Sequence, residues 1–225
     1  MTADRRTYNE YCPMAYALDI LGERWTLLAV RNLVAGPQRY TDLLEGLPGI
    51  PTDILTARLK VLQRAGVILK RRLPPPAAAV TVYELTPLGR GLETVVSAFT
   101  DWGLQLLGER GVEETAQATW FMAGMKARSQ PHAAVGLHET YQFNIDGQSF
   151  YFRIDDGSIK PFIGLAPEAD LILTGDSATF ASVGSRSLSP QDAFAAGRLK
   201  IEGDGAALLR CLNVLGVIKT PPVLP

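Results

Sequence analysis

The sequence predicts an α+β protein of two domains: a helical N-terminal domain with one β-hairpin, and a C-terminal open sheet with helices on one face. Three observations carry this. Up to about residue 107, apolar residues recur at helical spacing, interrupted by a single pair of extended runs. From Tyr141 onward the pattern changes to strict alternation around Asp-Gly turns, followed by helical stretches. Charge divides the same way, because Thr52 to Arg72 holds six bases against one acid, whereas residues 111–225 hold nine Lys and Arg against twelve Asp and Glu. A boundary is expected near Gly108 to Glu114, where a hydrophobic helix gives way to glycine and charge, so the expected domains are 1–110 and 111–225.

In the first half, Pro13 to Leu21 and Arg24 to Ala35 read as helices joined at Gly22, with a core stripe of Trp25, Leu27, Leu28 and Leu33. Gly36-Pro37 stops the second, and Tyr40, Leu43 and Leu44 define a short helix from Tyr40 to Leu47, closed by Pro48-Gly49. A further helix spans Thr52 to Ala65, with Leu55, Leu59 and Leu62 on one stripe and Thr52, Thr56, Lys60 and Gln63 on another. Such a helix can pack on one side and read a groove on the other. Gly66 stops it, and Val67 to Leu73 and Val80 to Leu85 form a hairpin around a Pro- and Ala-rich tip. Thr86 caps a long last helix with Pro87 at its first position, and Leu88, Leu92, Val95, Val96 and Phe99 give it more apolar surface than one hairpin can cover. Helix, helix, hairpin is the winged helix-turn-helix order, and the spare apolar face calls for a partner subunit.

Composition narrows the function classes. The 225 residues carry 22 Lys and Arg against 23 Asp and Glu, and 47% are hydrophobic, which excludes intrinsic disorder. No run approaches the roughly 18 to 20 apolar residues of a membrane span, and the N-terminus lacks a signal-peptide core, so a cytoplasmic protein with no membrane partner is expected. The two cysteines, Cys12 and Cys211, form neither a metal-ligand spacing nor a disulfide framework, and Cys211 is expected in the core. Hydrolase elbows, phosphate loops and paired-histidine motifs are lacking, so no catalytic residue, metal or cofactor is expected and the chain is read as a non-enzyme.

The N-terminal motifs then permit a comparison. Tyr11-Cys12-Pro13, Gly22-Glu23-Arg24-Trp25-Thr26-Leu27-Leu28, Tyr40-Thr41-Asp42-Leu43, Leu55-Thr56 with Arg58-Leu59-Lys60 and Leu62, Gly66-Val67-Ile68, and Tyr83-Glu84-Leu85-Thr86-Pro87-Leu88-Gly89 stand in the order of the HxlR family of bacterial winged-helix regulators, which residues 8–107 resemble. The resemblance implies a homodimer joined through its first and last helices, acting on double-stranded DNA with one recognition helix per half-site. The wing departs from that pattern, because its tip is Pro and Ala where a base is usual. That leaves Arg71 and Arg72 to meet phosphate.

The DNA-binding candidates are therefore Thr52, Asp53, Thr56, Arg58, Lys60, Arg64, Arg71 and Arg72. Arg58 has two readings, a phosphate contact or an internal ion pair with Asp42 or Glu45, since it falls within the apolar arc of its helix. Cys12 also has two. A thiol at a helix start, with Arg24 expected nearby, favours reactivity, and in a subset of similar regulators a cysteine at this position senses oxidants or electrophiles; the alternative is a buried helix-start element.

In the second half, a helix from Glu114 to Ala127 precedes a meander in which Tyr141, Phe143 and Ile145, then Phe150, Phe152 and Ile154, share one face. Leu171 and Leu173 continue it, and helices at Ser177 to Ser185, Pro190 to Ala196 and Gly205 to Leu215 surround a strand from Arg198 to Glu202. The runs Ala169 to Asp176, Leu188 to Phe194 and, most distinctively, Gly197-Arg198-Leu199-Lys200-Ile201-Glu202-Gly203-Asp204 resemble the sterol carrier protein type two fold over about residues 115–217. That resemblance implies an apolar cavity between sheet and helices. Tyr141, Phe143, Phe150, Phe152, Phe162 and Phe194 are the candidates to line it for an apolar small molecule, and a solid core made of the same residues is the other reading. The whole reads as a homodimeric DNA-binding regulator modulated by an apolar ligand or by Cys12. The alternative is a hydrophobic-ligand carrier whose winged helix serves only for dimerisation or docking.

Overall fold

Short apolar stripes and their stop signals set the N-terminal elements. The computed structural model describes residues 7–73, 80–107 and 116–218, so the Pro- and Ala-rich wing tip and the expected linker from Gly108 to Glu114 lie outside the described residues. Helix α1 (Pro13–Leu21) begins at its N-cap Cys12 with Pro13 in the first turn, and α2 (Thr26–Val34) starts two residues later than its periodicity predicts. Trp25, at φ 77°, occupies the left-handed region and cannot be helical. The buried arc of α2 is Thr26, Ala29, Val30, Asn32, Leu33 and Val34, so Leu28, expected in the core, is exposed instead. At 100° per residue Leu28 falls outside that arc.

Helices α3 (Tyr40–Glu45) and α4 (Thr52–Arg64) form the turn at the centre of this unit. The Asp42 carboxylate accepts the Arg39 backbone N–H at 3.0 Å and so caps α3. Leu55, Leu59 and Leu62 of α4 are all at most 2% exposed, which fixes the rotation of that helix. Gly66, at φ 71°, ends it in a left-handed turn that brings the Val67 N–H back to the Leu62 carbonyl at 2.9 Å. Strands β1 (Ile68–Arg72) and β2 (Thr81–Leu85) pair antiparallel, Lys70 opposite Tyr83, and Gln38 bridges to Tyr83 on the outer side of β2.

Thr86 accepts the Gly89 N–H, as a cap should, but the helix expected to run on unbroken is two helices, α5 (Pro87–Arg90) and α6 (Leu92–Leu104). Gly89 lies so close to the Val67 carbonyl that a Cβ would sit 2.0 Å from its oxygen, which ties α5 to the base of the wing. The chain divides into two compact units, residues 1–93 and 94–225, and the division falls inside α6.

The C-terminal unit is a five-stranded sheet of order β5-β4-β3-β6-β7, with β3 (His138–Ile145), β4 (Gln148–Asp155) and β5 (Ser158–Ile163) a meander, and β6 (Leu171–Gly175) parallel to β3. Both hairpins have two-residue turns, Asp146-Gly147 and Asp156-Gly157, whose four φ angles are positive, the geometry that matches the strand twist. Strand β7 (Leu199–Gly203) closes the other edge, antiparallel to β6. The register puts Tyr141, Phe143, Ile145, Phe150, Phe152, Ile154, Leu171 and Leu173 on one face, all buried, while the other face carries Gln142, Asn144, Ser149, Tyr151, Arg153 and Thr174. Helix α8 (Ser177–Gly184) meets the apolar face through Phe180, and α10 (Gly205–Val214) meets it through Arg210. Helices α7 (Ala118–Arg128) and α9 (Pro190–Ala195) pack along β4 and β7 respectively, and a 3-10 turn spans Pro131–Ala134. Among the described residues, no helix is long and apolar enough to cross a membrane.

Candidate nucleic-acid interface

With Leu55, Leu59 and Leu62 turned inward, the opposite stripe of α4 is set by geometry. Thr52, Asp53, Lys60 and Arg64 are exposed and Thr56 is half-buried beside them. The Thr56 hydroxyl donates to the Thr52 carbonyl at 2.8 Å, and the Tyr40 hydroxyl of α3 donates to the same carbonyl at 2.9 Å while lying 3.3 Å from Thr56 Oγ1. Tyr40 thereby pins the first turn of α4 to α3. Asp53 stands in that first turn, where the helix dipole favours a negative charge. Lys60 and Arg64 carry no salt bridge among the described residues, so both ammonium and guanidinium are available to an anion.

Two of the expected DNA contacts have internal partners. Arg58 is only 18% exposed in its side chain and pairs with Glu23 at 3.3 Å, not with Asp42 or Glu45. The pair ties α4 to the α1–α2 corner, where Glu23 stands. Arg71 donates from Nε and Nη2 to the two carboxylate oxygens of Glu84, at 2.9 Å and 2.8 Å, diagonally across the wing hairpin. The Arg71 guanidinium in turn holds the Glu84 carboxyl below the usual carboxylate range. Lys70 lies over the Tyr83 ring at 5.7 Å, and Arg72 is exposed with no ion pair among the described residues.

In the C-terminal unit the six aromatic candidates separate into three places. Tyr141, Phe143, Phe150 and Phe152 stand together on the apolar face, with Phe143 stacked on its cross-strand partner Phe150 at 5.1 Å and both edge-on to Phe152. Phe162 lies on the opposite face, stacked on Tyr151 at 5.0 Å beneath Arg153, because one residue of offset reverses a strand side chain. Phe194 of α9 is 55% exposed. The apolar face also carries a charge that alternation did not reveal as inward: Glu139 accepts from the Tyr141 hydroxyl and from Arg210 Nε at 2.8 Å. Cys211 is buried next to this cluster, and burial pushes its thiol well above the ordinary range. Cys12 is a half-buried free thiol at the N-cap of α1, and Arg24, expected near it, lies over the Trp25 ring at 5.2 Å.

Residues 20–110 match the HxlR-like helix-turn-helix family, and residues 122–216 match the SCP-2 sterol transfer family. The HTH-type transcriptional regulator sll1512 of Synechocystis sp. is 34% identical over 102 residues, which cover 45% of this chain and 75% of that protein. The chain belongs to the HxlR-like helix-turn-helix family. HTH-type transcriptional regulator YodB of Bacillus subtilis is 34% identical over 98 residues, 43% of this chain and 87% of its own length. The solved reduced form of YodB is 29% identical, covering 45% of this chain and 100% of that one, with a TM-score of 0.38.

Within the HxlR-like portion, sequence reasoning missed three residues that shape the interface: Tyr40, Glu84 and Glu23. Tyr40 has a weak signal, a hydroxyl at the start of a helix otherwise read for its apolar spacing. Glu84 and Glu23 had none, because each pairs with a base 13 or more positions away along the chain.

Proposed function

We propose that this HxlR-like protein is a homodimeric, DNA-binding transcriptional regulator working in the cytoplasm. Helix α4 lies in the major groove, and Lys60, Arg64 and Arg72 meet the phosphates. The observation that carries this reading is the rotation of α4: three buried leucines anchor it and leave Thr52, Asp53, Lys60 and Arg64 exposed along the other side. Dimerisation accounts for the large apolar side chains left exposed on α1, Met14, Tyr16 and Leu18, and on α6, Phe99 and Trp102. Two α4 helices then address half-sites about one helical turn apart or a multiple of it.

The functional domains are 1–110 for DNA and dimer, and 111–225 for an apolar ligand or for bracing the dimer. The match to the SCP-2 sterol transfer family supports the ligand reading, and equally supports a second one in which the protein is a hydrophobic-ligand carrier with its winged helix used for docking. Capture of genomic duplex fragments on the full-length protein separates them. A regulator enriches discrete fragments, and its log affinity falls with log salt by about 0.9 per phosphate contact, a slope that Lys60→Ala lessens. Salt-insensitive binding, or no enrichment, leaves the carrier. Cys12 is the proposed thiol switch: an adduct or a disulfide across subunits at the start of α1 alters the pairing of the subunits. Wild-type protein that stays on DNA after diamide or quinone treatment, as Cys12→Ser does, makes that thiol structural.

A further inference from the structure

The Thr56 hydroxyl of α4 and the Tyr40 hydroxyl of α3 both have their hydrogens committed. Each hydroxyl owns one hydrogen and two lone pairs. Thr56 Oγ1 is 2.8 Å from the Thr52 carbonyl, the Tyr40 hydroxyl is 2.9 Å from the same oxygen, and the two hydroxyls are 3.3 Å apart. The carbonyl is an acceptor only. Whether both hydroxyls donate to it, or one donates to the other and the other to the carbonyl, both hydrogens are consumed inside the cluster. What Thr56 retains for an outside partner is a lone pair. Asp53, three positions earlier in the same turn and exposed, is likewise acceptor-only when ionised. The cations of the stripe, Lys60 and Arg64, come only one and two turns later.

A Thr56 oxygen limited to accepting cannot bind phosphate oxygens, which are themselves acceptors, and it cannot bind the acceptor edge of guanine or the O4 of thymine. In the major groove the donors are the amino groups of adenine N6 and cytosine N4. We infer that Thr56, with its hydroxyl hydrogen committed between Tyr40 and Thr52, reads one exocyclic amino group, so that each half-site has a position restricted to A or C on the strand facing α4. This deepens the proposed function and rests on that reading.

Selection of bound duplexes from a random-sequence library, with full-length wild type, Thr56→Val and Thr56→Ser, tests it. Wild type is expected to enrich a motif with one position per half-site at which A or C is favoured over G or T. Thr56→Val keeps the shape and removes the lone pair, and is expected to lose that discrimination by about fivefold or more. Thr56→Ser is expected to keep it. A cooperative thermal melt of Thr56→Val shows that the variant is folded. A Thr56-dependent position that prefers G or T means the hydroxyl donates outward, and overturns the inference. So does a motif unchanged in Thr56→Val. A wild type that enriches no duplex overturns the DNA-binding reading itself, and this inference with it.

Discussion

Replacing Glu84 with Gln should strengthen DNA binding, which is the reverse of what removing an acid on a base-rich hairpin does for folding. Glu84 pairs with Nε and Nη2 of Arg71, and the side chains are 22% and 43% exposed, so the pair presents almost no net charge to an approaching duplex. The Glu84 carboxylate neutralises the guanidinium at contact distance, so Arg71 draws a phosphate weakly while the pair is intact. Gln keeps the shape of Glu84 but releases the charge, adding one free cation to a strand that already offers Lys70 and Arg72. One added phosphate contact steepens the slope of log affinity against log salt by about 0.9, so the fourfold rise from 50 to 200 mM salt costs the variant roughly a further threefold. At the low-salt end the variant should bind non-specific duplex several-fold more tightly than wild type. The folding cost should stay within about 1 kcal/mol, as for other solvent-accessible pairs. Fluorescence anisotropy titrations of a labelled duplex over that salt range read both quantities. Arg71→Ala should change the wild-type slope little and should abolish the whole increment in the Glu84→Gln background. An Arg71→Ala variant that alone flattens the wild-type slope by about 0.9, beside a Glu84→Gln variant that changes nothing, would show that Arg71 leaves Glu84 for DNA unaided and would refute the masking.

Three further outcomes are expected. Glu23→Arg and Arg58→Glu should each lower the melting temperature, by about 1 kcal/mol of stability for a pair with one half-exposed member, and the double charge swap should recover most of it; a double variant no better than the worse single one dismisses the pair. Phe150→Ala should destabilise the C-terminal domain by about 3–5 kcal/mol in denaturant titrations, since the ring is fully buried between Phe143 and Phe152, and a loss under 1 kcal/mol would mean the site collapses or was never packed. Asp176, whose carboxylate accepts the Thr179 N–H at the start of α8, is held below its ordinary range by Thr179, through its side chain first and then its backbone N–H, and contributes stability that is present above the unfolded carboxylate pKa and is lost as pH falls through the lower folded value. Asp176→Ala should therefore cost about 1 kcal/mol at neutral pH, with the gap to wild type closing below about pH 4; a gap independent of pH would remove the carboxylate from the explanation.

Much of this protein is legible along the chain because its determinants are local. Helical spacing with Pro or Gly at the ends places α1, α3 and α4 to within a residue or two, and the two Asp-Gly turns fix the β3-β4-β5 meander because a two-residue loop with positive φ angles permits one register. The Leu55, Leu59 and Leu62 stripe likewise determines which side of α4 is free, and with it most of the candidate interface. What the sequence could not decide is which charged group meets which. Arg58 and Arg71 are bases in a basic segment and read equally well as phosphate contacts, until folding brings Glu23 and Glu84 against them from other elements. The same holds for Phe162 and Phe194, whose apolar character is visible but whose side of the fold is not, and for Glu139, whose place on an apolar face depends on Arg210 arriving from a helix some 70 positions away. Periodicity is a property of neighbours on one element, whereas a pairing energy depends on the distance between two side chains, and only the tertiary structure sets that distance.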